Sequence, residues 1–461
     1  MNPQPSLTEQ ADALKRAGRL EPALQLYRRA AAASPGAAPP QHNLAAALAE
    51  AGRWAEAETC ARAALRAGMD AAGTWAVLGY ALIGLRRFGE AEEALRQALT
   101  RHPSMYQAHV ELAHLVWMRS GNAGEATSAL DAAIDVHPGE LGLRLVKARV
   151  LKAAGDRPGA YGVLKGALRA APGEPTLSVA AAEVAPGPRA AREHALQALR
   201  AQPGHPEGLI ALANASLSAG DPVEASKIAA ELYRRGLHPQ HALAIQATAW
   251  RLQGDPRYGE LYDYERFVGT YGLVTPPGWP SLDAYLGDLA EALNHVHVHH
   301  AHPFDQSVRH GSQIPDILES EAPALKAFPA AVAAPIAEHV ARLGQGPHPL
   351  LARNTGRWRF QGAWSVRLRP GGFHANHVHP QGWISSACYV ELPAAVALQD
   401  REGWLKLGEP GVDTRPRLGP ERHIAPQPGL LALFPSYMWH GTVPFGGDQP
   451  RLALAFDIVP D

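Results

Sequence analysis

Three pairs of glycines, Gly18 and Gly52, Gly121 and Gly155, and Gly220 and Gly254, each stand 34 residues apart. Prolines at Pro35, Pro103, Pro138, Pro172, Pro203 and Pro239 recur between them. A glycine that ends one helix and a proline that follows a second, repeated at a fixed interval, describe a two-helix unit copied along the chain. Such a unit buries its apolar face only against a neighbour. The pattern therefore demands a stacked array and excludes a single closed core for this half of the chain.

One unit displays the packing directly. Trp75-Ala-Val-Leu78-Gly79-Tyr80 fits W-x-x-L-G on a first helix. Ala91, Ala94 and Ala98 give the second helix a small-residue face, and Pro103 stops it. The unit resembles the tetratricopeptide repeat, and roughly seven copies fit before the register ends. Pro186-Gly187-Pro188 falls inside the unit between Pro172 and Pro203, which predicts a broken or shortened helix there. The resemblance implies an α-solenoid over residues 6–255, whose concave side binds a peptide or protein partner. A rigid spacer or dimerisation platform is the other reading.

At 461 residues the chain exceeds one ordinary domain. Its 43 Lys and Arg balance 44 Asp and Glu, so charge supplies no bulk attraction to nucleic acid or to a membrane surface. The two cysteines, Cys60 and Cys388, form no disulfide framework, and a reducing, cytoplasmic setting is expected. Met-Asn-Pro-Gln-Pro-Ser at the start lacks the basic and apolar regions of a signal peptide. No apolar run is long enough to span a bilayer.

From Tyr258 the repeat register fades. Tyr262, Tyr264, Phe267 and Tyr271 form an aromatic cluster, and Pro276-Pro277-Gly278-Trp279-Pro280 reads as a turn. Ser281 N-caps an amphipathic helix to Leu293. We read 256–300 as a helical connector. The run His295, His297, His299, His300 and His302 either binds metal or lies on a solvated helix end, the second being the reading favoured here. Pro323 to Leu343 predicts a further helix.

After Asn354 the period becomes that of strands. Trp358, Phe360, Trp364, Val366 and Leu368 share one parity and predict a half-buried strand. Strands follow at Ile384–Leu392, Trp404–Leu407, Leu430–Phe434 and Leu452–Val459, the signature of an antiparallel barrel or sandwich. Between Leu368 and the strand at Ile384 stands Arg369-Pro-Gly-Gly-Phe-His374-Ala-Asn-His377-Val-His379-Pro. Alternating side chains of extended chain share a face, so His377 and His379 can address one metal ion. His440 is the candidate third ligand.

His377-Val378-His379, then His440, then Arg451, resembles the H-x-D…H…R signature of the Fe(II)/2-oxoglutarate oxygenases. The turn Arg369-Pro370-Gly371-Gly372 is similar to that of their prolyl hydroxylase branch. The wider pattern resembles a bacterial and phage group with an H-x-H-P turn, an S-x-x-Y strand and an F-P-S…H…R ending. That group also carries a segment like His302-Pro-Phe-Asp-Gln306-Ser307-Val-Arg309. A repeat array joined to such a domain is also similar to the aspartyl/asparaginyl hydroxylases, which act on polypeptides.

The resemblance implies a multidomain α plus β protein. Its C-terminal part, 301–461, would be a double-stranded β-helix of the jelly-roll, cupin-like kind. His377 and His440 would ligate Fe(II), and Arg451 would pair with the distal carboxylate of 2-oxoglutarate. Tyr389, Arg369 and Ser385 would be further cofactor contacts, and O2 would take an open metal position. The departure is His379, where the family has a carboxylate. Either His379 ligates and gives a three-histidine site, or it stands aside. His374 is a further candidate as spare ligand or proton carrier. Ser385 and Ser386 hydrogen-bond either cofactor or backbone, while Cys388, Trp364 and Trp383 read as packing. The implied function is a 2-oxoglutarate-dependent dioxygenase of the hydroxylase type, acting on a peptide or protein presented by the repeats. The alternatives are a three-histidine dioxygenase without 2-oxoglutarate, and a scaffold with an inactive barrel.

Overall fold

The computed structural model describes residues 5–394, 396 and 401–461. The chain forms two compact units, Met1–Ala154 and Gly155–Asp461. The division falls inside the repeat array.

The first unit is a row of helical hairpins. Leu7–Arg16 packs with Leu20–Ala33, Ala38–Glu50 with Trp54–Arg66, Ala72–Gly84 with Phe88–Arg101, and Tyr106–Ser120 with Ala123–Val136. Leu141–Ala153 ends the unit. The six glycines of the 34-residue pattern lie at φ between 65° and 84°, the left-handed conformation that closes a helix. The equivalent place after Ala72–Gly84 is taken by Arg86, at φ 59°. Within that hairpin a Cβ on Gly79 would lie 2.9 Å from Leu95, so any larger residue there would have to displace the Leu95 side chain. Ala91, Ala94 and Ala98 are buried on the same helix as Leu95.

The second unit begins with more hairpins: Arg157–Ala170, Pro175–Val184, Pro188–Ala201, Pro206–Ala219, Pro222–Arg234 and Pro239–Gln253. Pro175–Val184 has 10 residues against 14 in its successor, the shortening predicted from Pro186-Gly187-Pro188. The C-terminal part is an antiparallel sheet region. Its larger sheet contains β1 (Gly269–Gly272), β2 (Val308–Ile314), β3 (Trp358–His374), β4 (Ile384–Glu391), β7 (Leu430–Pro435) and β9 (Arg451–Pro460), in the order β1-β7-β4-β9-β3-β2. The smaller sheet is β5 (Leu405–Leu407), β6 (Arg422–Ile424) and β8 (His440–Thr442), in the order β6-β5-β8. The stretch 256–300, expected to be a helical connector, also supplies β1 at the edge of the larger sheet.

Helices back one face of that sheet. Leu282–Val296, capped by Ser281, and Pro323–Leu343 pack on it through Leu289, Leu293, Phe328, Val332 and Ile336, all buried with Leu431, Leu433 and Phe456. The last repeat helix joins the same core through Leu243, Ala244 and Ala247. Trp439 fastens the junction: its indole N–H is 2.9 Å from Oγ1 of Thr248 and 3.2 Å from the carbonyl of Ala244.

Two expectations change. The shared parity of Trp358 to Leu368 is broken by a register shift between Phe360 and Gly362. A bulge transfers a strand's side chains to the other face. Trp358 and Phe360 therefore pack against the helix-backed core, while Trp364, Val366 and Leu368 join a separate cluster with Val308 and Phe445. The histidine run is also not simply solvated. His297 and His302 are buried, and His297 bridges Oγ of Ser312 at 2.8 Å and Oγ of Ser365 at 2.9 Å. Here it ties the segment to β2 and β3.

Candidate metal centre

His377 and His379 lie between β3 and β4 on extended chain, with Val378 turned into the core. His440 opens β8. The backbones of His377 and His440 form an antiparallel bridge, with N–H to carbonyl distances of 2.9 Å and 3.1 Å in the two directions. His379 N–H donates to the carbonyl of Ser436 at 2.9 Å. Three residues from two distant segments are thus fixed by main-chain bonds before any side chain is considered.

Their ligand atoms all lie within 4.8 Å of one another. The outer nitrogens decide the tautomers. Nδ1 of His377 is 2.8 Å from the carbonyl of Ala375, and Nδ1 of His440 is 2.9 Å from that of Met438. A carbonyl only accepts, so both Nδ1 atoms carry the proton and both Nε2 lone pairs point elsewhere. Nδ1 of His379 meets Oδ1 of Asp457 at 2.6 Å, and its Nε2 stands 3.1 Å from Nε2 of His377. Outer nitrogens held by acceptors, with inner ones converging, are how proteins orient imidazoles toward a metal.

Electrostatics agree. Burial, reinforced by the neighbouring imidazoles, pushes the pKa values of His377 and His440 well down, so both rings are neutral and competent as ligands. Asp457 is buried and is gripped by Ser385 at 2.6 Å, and Ser385 is held in turn by Ser436 at 2.9 Å. The ring of Trp364 lies 5.3 Å from that of His379.

A second polar pair lies on β9 and β4. Arg451 is 2 % exposed, and its guanidinium sits 5.2 Å from the centre of the Tyr389 ring. One Nη donates to the carbonyl of Gly403, but Nε has no partner among the described residues. The hydroxyl of Tyr389, fully buried, has none either. Burial raises the Tyr389 pKa, with Arg451 opposing, so the hydroxyl keeps its proton. A buried cation and a buried donor, both unsatisfied, call for an anionic acceptor.

The remaining candidates divide. Arg369 is exposed on β3, outside this group. Ser385 belongs to the Asp457 network, whereas Ser386 bonds the backbone of Phe456. His374 is not one of the three clustered histidines. Its ring lies parallel to that of His377 at 6.0 Å, and burial with Arg451 nearby pushes its pKa down to about 3. Ser307 holds its Nδ1 at 2.9 Å, which gives the Gln306-Ser307-Val-Arg309 segment a structural role. Asp457 was missed from sequence. Its signal is one acidic residue in the otherwise apolar run Leu452–Pro460.

Residues 362–457 match the family model described as "Putative 2OG-Fe(II) oxygenase". Residues 42–105 and 76–120 match that of the tetratricopeptide repeat. The chain therefore carries tetratricopeptide repeats toward its N-terminus and a domain of that oxygenase family at its C-terminus. Among solved structures, YrrB, "a TPR protein with an unusual peptide-binding site", is 23 % identical. The alignment covers 36 % of this chain and 85 % of YrrB at a TM-score of 0.29. A tetratricopeptide repeat protein from Parabacteroides merdae is 15 % identical over 53 % of this chain and 97 % of its own, at 0.39. A thermophilic repeat protein of Thermus thermophilus is 21 % identical over 39 % and 96 %, at 0.32. No curated protein matches the chain. No helix among the described residues is long and apolar enough to cross a membrane.

Proposed function

We propose that the chain is an Fe(II)/2-oxoglutarate-dependent dioxygenase of the hydroxylase type, acting on a peptide or protein held by its repeats. The two antiparallel sheets are read as the halves of a double-stranded β-helix with the three histidines at its mouth. The observation that carries the proposal is the convergence of three Nε2 atoms, each backed by an acceptor on Nδ1. Beside them stand Arg451 and Tyr389 with unmet hydrogen bonds.

In this reading His377, His379 and His440 hold the metal. The carboxylate behind His379 favours its ligation over its standing aside, because it increases the basicity of that ring. Arg451 and the Tyr389 hydroxyl receive the distal carboxylate of 2-oxoglutarate; a buried guanidinium gives that contact charge-assisted strength. Fe(II) with 2-oxoglutarate supplies O2 activation coupled to decarboxylation. Neutral His374, packed beside His377, excludes water from that flank. Repeats of this kind commonly bind peptides or proteins, and that supports a polypeptide substrate.

The test is anaerobic. Protein loaded with Fe(II) is titrated with 2-oxoglutarate and followed for the visible charge-transfer absorption of the chelate. A saturable band, lost in His440→Ala and weakened in Arg451→Ala, is expected. Iron binding without any band would sink the 2-oxoglutarate assignment and favour the co-substrate-free three-histidine reading.

A further inference from the structure

Residues 408–421, between β5 and β6, leave the smaller sheet and lie on the last repeats. Val412 packs on an apolar cluster that includes Ala213 and Leu217 of helix Pro206–Ala219 and Ile245 and Ala249 of helix Pro239–Gln253. Polar contacts fix the chain around it. Oγ of Ser218 donates to the carbonyl of Asp413 at 2.8 Å, and Nη1 of Arg251 donates to that of Gly408 at 2.9 Å. Arg251 also pairs with Glu421 at 3.2 Å. Packed apolar groups and paired carbonyls oppose local opening of such a loop.

The other side of the loop meets both segments that carry the clustered histidines. A Cβ on Gly411 would stand 2.3 Å from the carbonyl oxygen of Asn376 and 2.7 Å from Cζ3 of Trp439. Asn376 precedes His377, and Trp439 precedes His440. Nδ2 of Asn376 donates to the carbonyl of Pro410 at 3.3 Å. Its Oδ1 covers Gly441, where a Cβ would lie 2.4 Å away. Asn376 is thus clasped between the loop and β8. Each side of the clasp is a glycine at which a Cβ would press on main-chain oxygen.

We propose that residues 410–412 act as a positioning strap. The repeat helices hold Val412, and Gly411 beside it fixes the main chain that aims His377 and His440. A peptide unit is planar, so a shift of the Asn376 carbonyl carries the His377 nitrogen with it. The His377–His440 bridge passes that shift to the second ring. The inference rests on the reading of the three histidines as a metal centre. It adds that the C-terminal repeats support that centre and are not a detachable substrate holder.

The test uses the full chain with isotope-labelled histidine. Ring N–H signals of His377 and His440 are followed by NMR without metal, and the protein is then titrated with Co(II). Val412→Asp places on the apolar cluster a charge that cannot stay there, so the strap leaves the repeats. Both ring signals should shift or broaden, and Co(II) affinity should fall about tenfold or more, as for other groups that orient ligands. Gly411→Ala, which forces the strap off Asn376, should do the same, whereas Val412→Ile should match the parent protein. Leu325→Ala, in the core behind the larger sheet, should lower the melting temperature and leave ring signals and affinity in place. Unchanged ring signals in Val412→Asp would overturn the proposal. Silence of Gly411→Ala would overturn the route through that residue. Equal changes in Leu325→Ala would also overturn the proposal, because any loosening would then disturb the rings. Ring signals altered by Val412→Asp in a protein that takes up no Co(II) would support the strap and refute the metal reading, so the two fail separately.

Discussion

Oδ1 of Asp457 lies 2.6 Å from Nδ1 of His379, and Ser385 donates to the same oxygen at 2.6 Å. Under the proposed function, the carboxylate that the Fe(II)/2-oxoglutarate oxygenases place on the metal would here stand one imidazole further out. In the proposed reading the charge stays near the centre while an imidazole takes the ligand position. Asp457→Asn retains an acceptor for Nδ1–H and removes the charge. Affinity for Fe(II) should fall about 10–100-fold with the fold intact. Competition against a chromophoric chelator under nitrogen measures it, and an unchanged dissociation constant would show that Asp457 is only a packing group.

Tyr389 provides a test of opposite signs. Its buried hydroxyl has no partner among the described residues, and an unmet polar group costs about 1–3 kcal/mol. Tyr389→Phe should therefore stabilise the protein alone, by about 1 kcal/mol, yet weaken 2-oxoglutarate binding. Thermal melts with and without 2-oxoglutarate give both numbers. A loss of stability without the co-substrate would mean that the hydroxyl already has a partner.

How much of this was visible in sequence varies by residue, for physical reasons. The grouping of His377, His379 and His440 was legible because alternating residues of extended chain share a face and His440 opens a later strand. The helix ends at Gly18 to Gly254 were legible because glycine is the residue that adopts left-handed backbone without strain. Asp457 could be seen but not assigned, since its partner is 78 residues away across the sheet. The bulge in β3 defeated the parity argument, because periodicity presumes unbroken register. The bond from Trp439 to Thr248 spans 191 residues and joins two kinds of architecture, which no local pattern encodes.

Acid should act on the helix-backed core through His339. Burial and the nearby Arg342 push its pKa from the usual 6.5 to about 3, and its Nδ1 meets the Tyr271 hydroxyl at 3.0 Å and Nη2 of Arg342 at 3.3 Å. The folded state keeps the ring neutral while the unfolded chain takes up a proton below about pH 6.5. Stability is therefore whole at neutral pH and is lost as pH falls from 6.5 toward 3, by about 1.4 kcal/mol per pH unit from this group. His339→Gln should flatten the slope of urea-unfolding free energy between pH 6 and pH 4.5 by about that amount. An unaltered slope would place the acid sensitivity in other histidines.

Arg86 occupies the helix-ending position that glycine fills at Gly18 and Gly52, and holds φ at 59°. Its N–H still closes the helix onto the carbonyl of Ile83 at 2.9 Å, so the conformation is imposed by the hairpin whatever residue stands there. An L-residue bears about 1–2 kcal/mol in this region, because Cβ crowds the carbonyl oxygen. Glycine removes that strain but gains freedom in the unfolded chain, which offsets part of the benefit. Arg86→Gly should consequently stabilise the first unit by roughly 1 kcal/mol, and Gly52→Ala should destabilise it by a similar amount. Chemical denaturation of both variants separates local strain from side-chain contacts. Were the guanidinium of Arg86 the stabilising feature, Arg86→Gly would lower stability and Arg86→Ala would lower it equally.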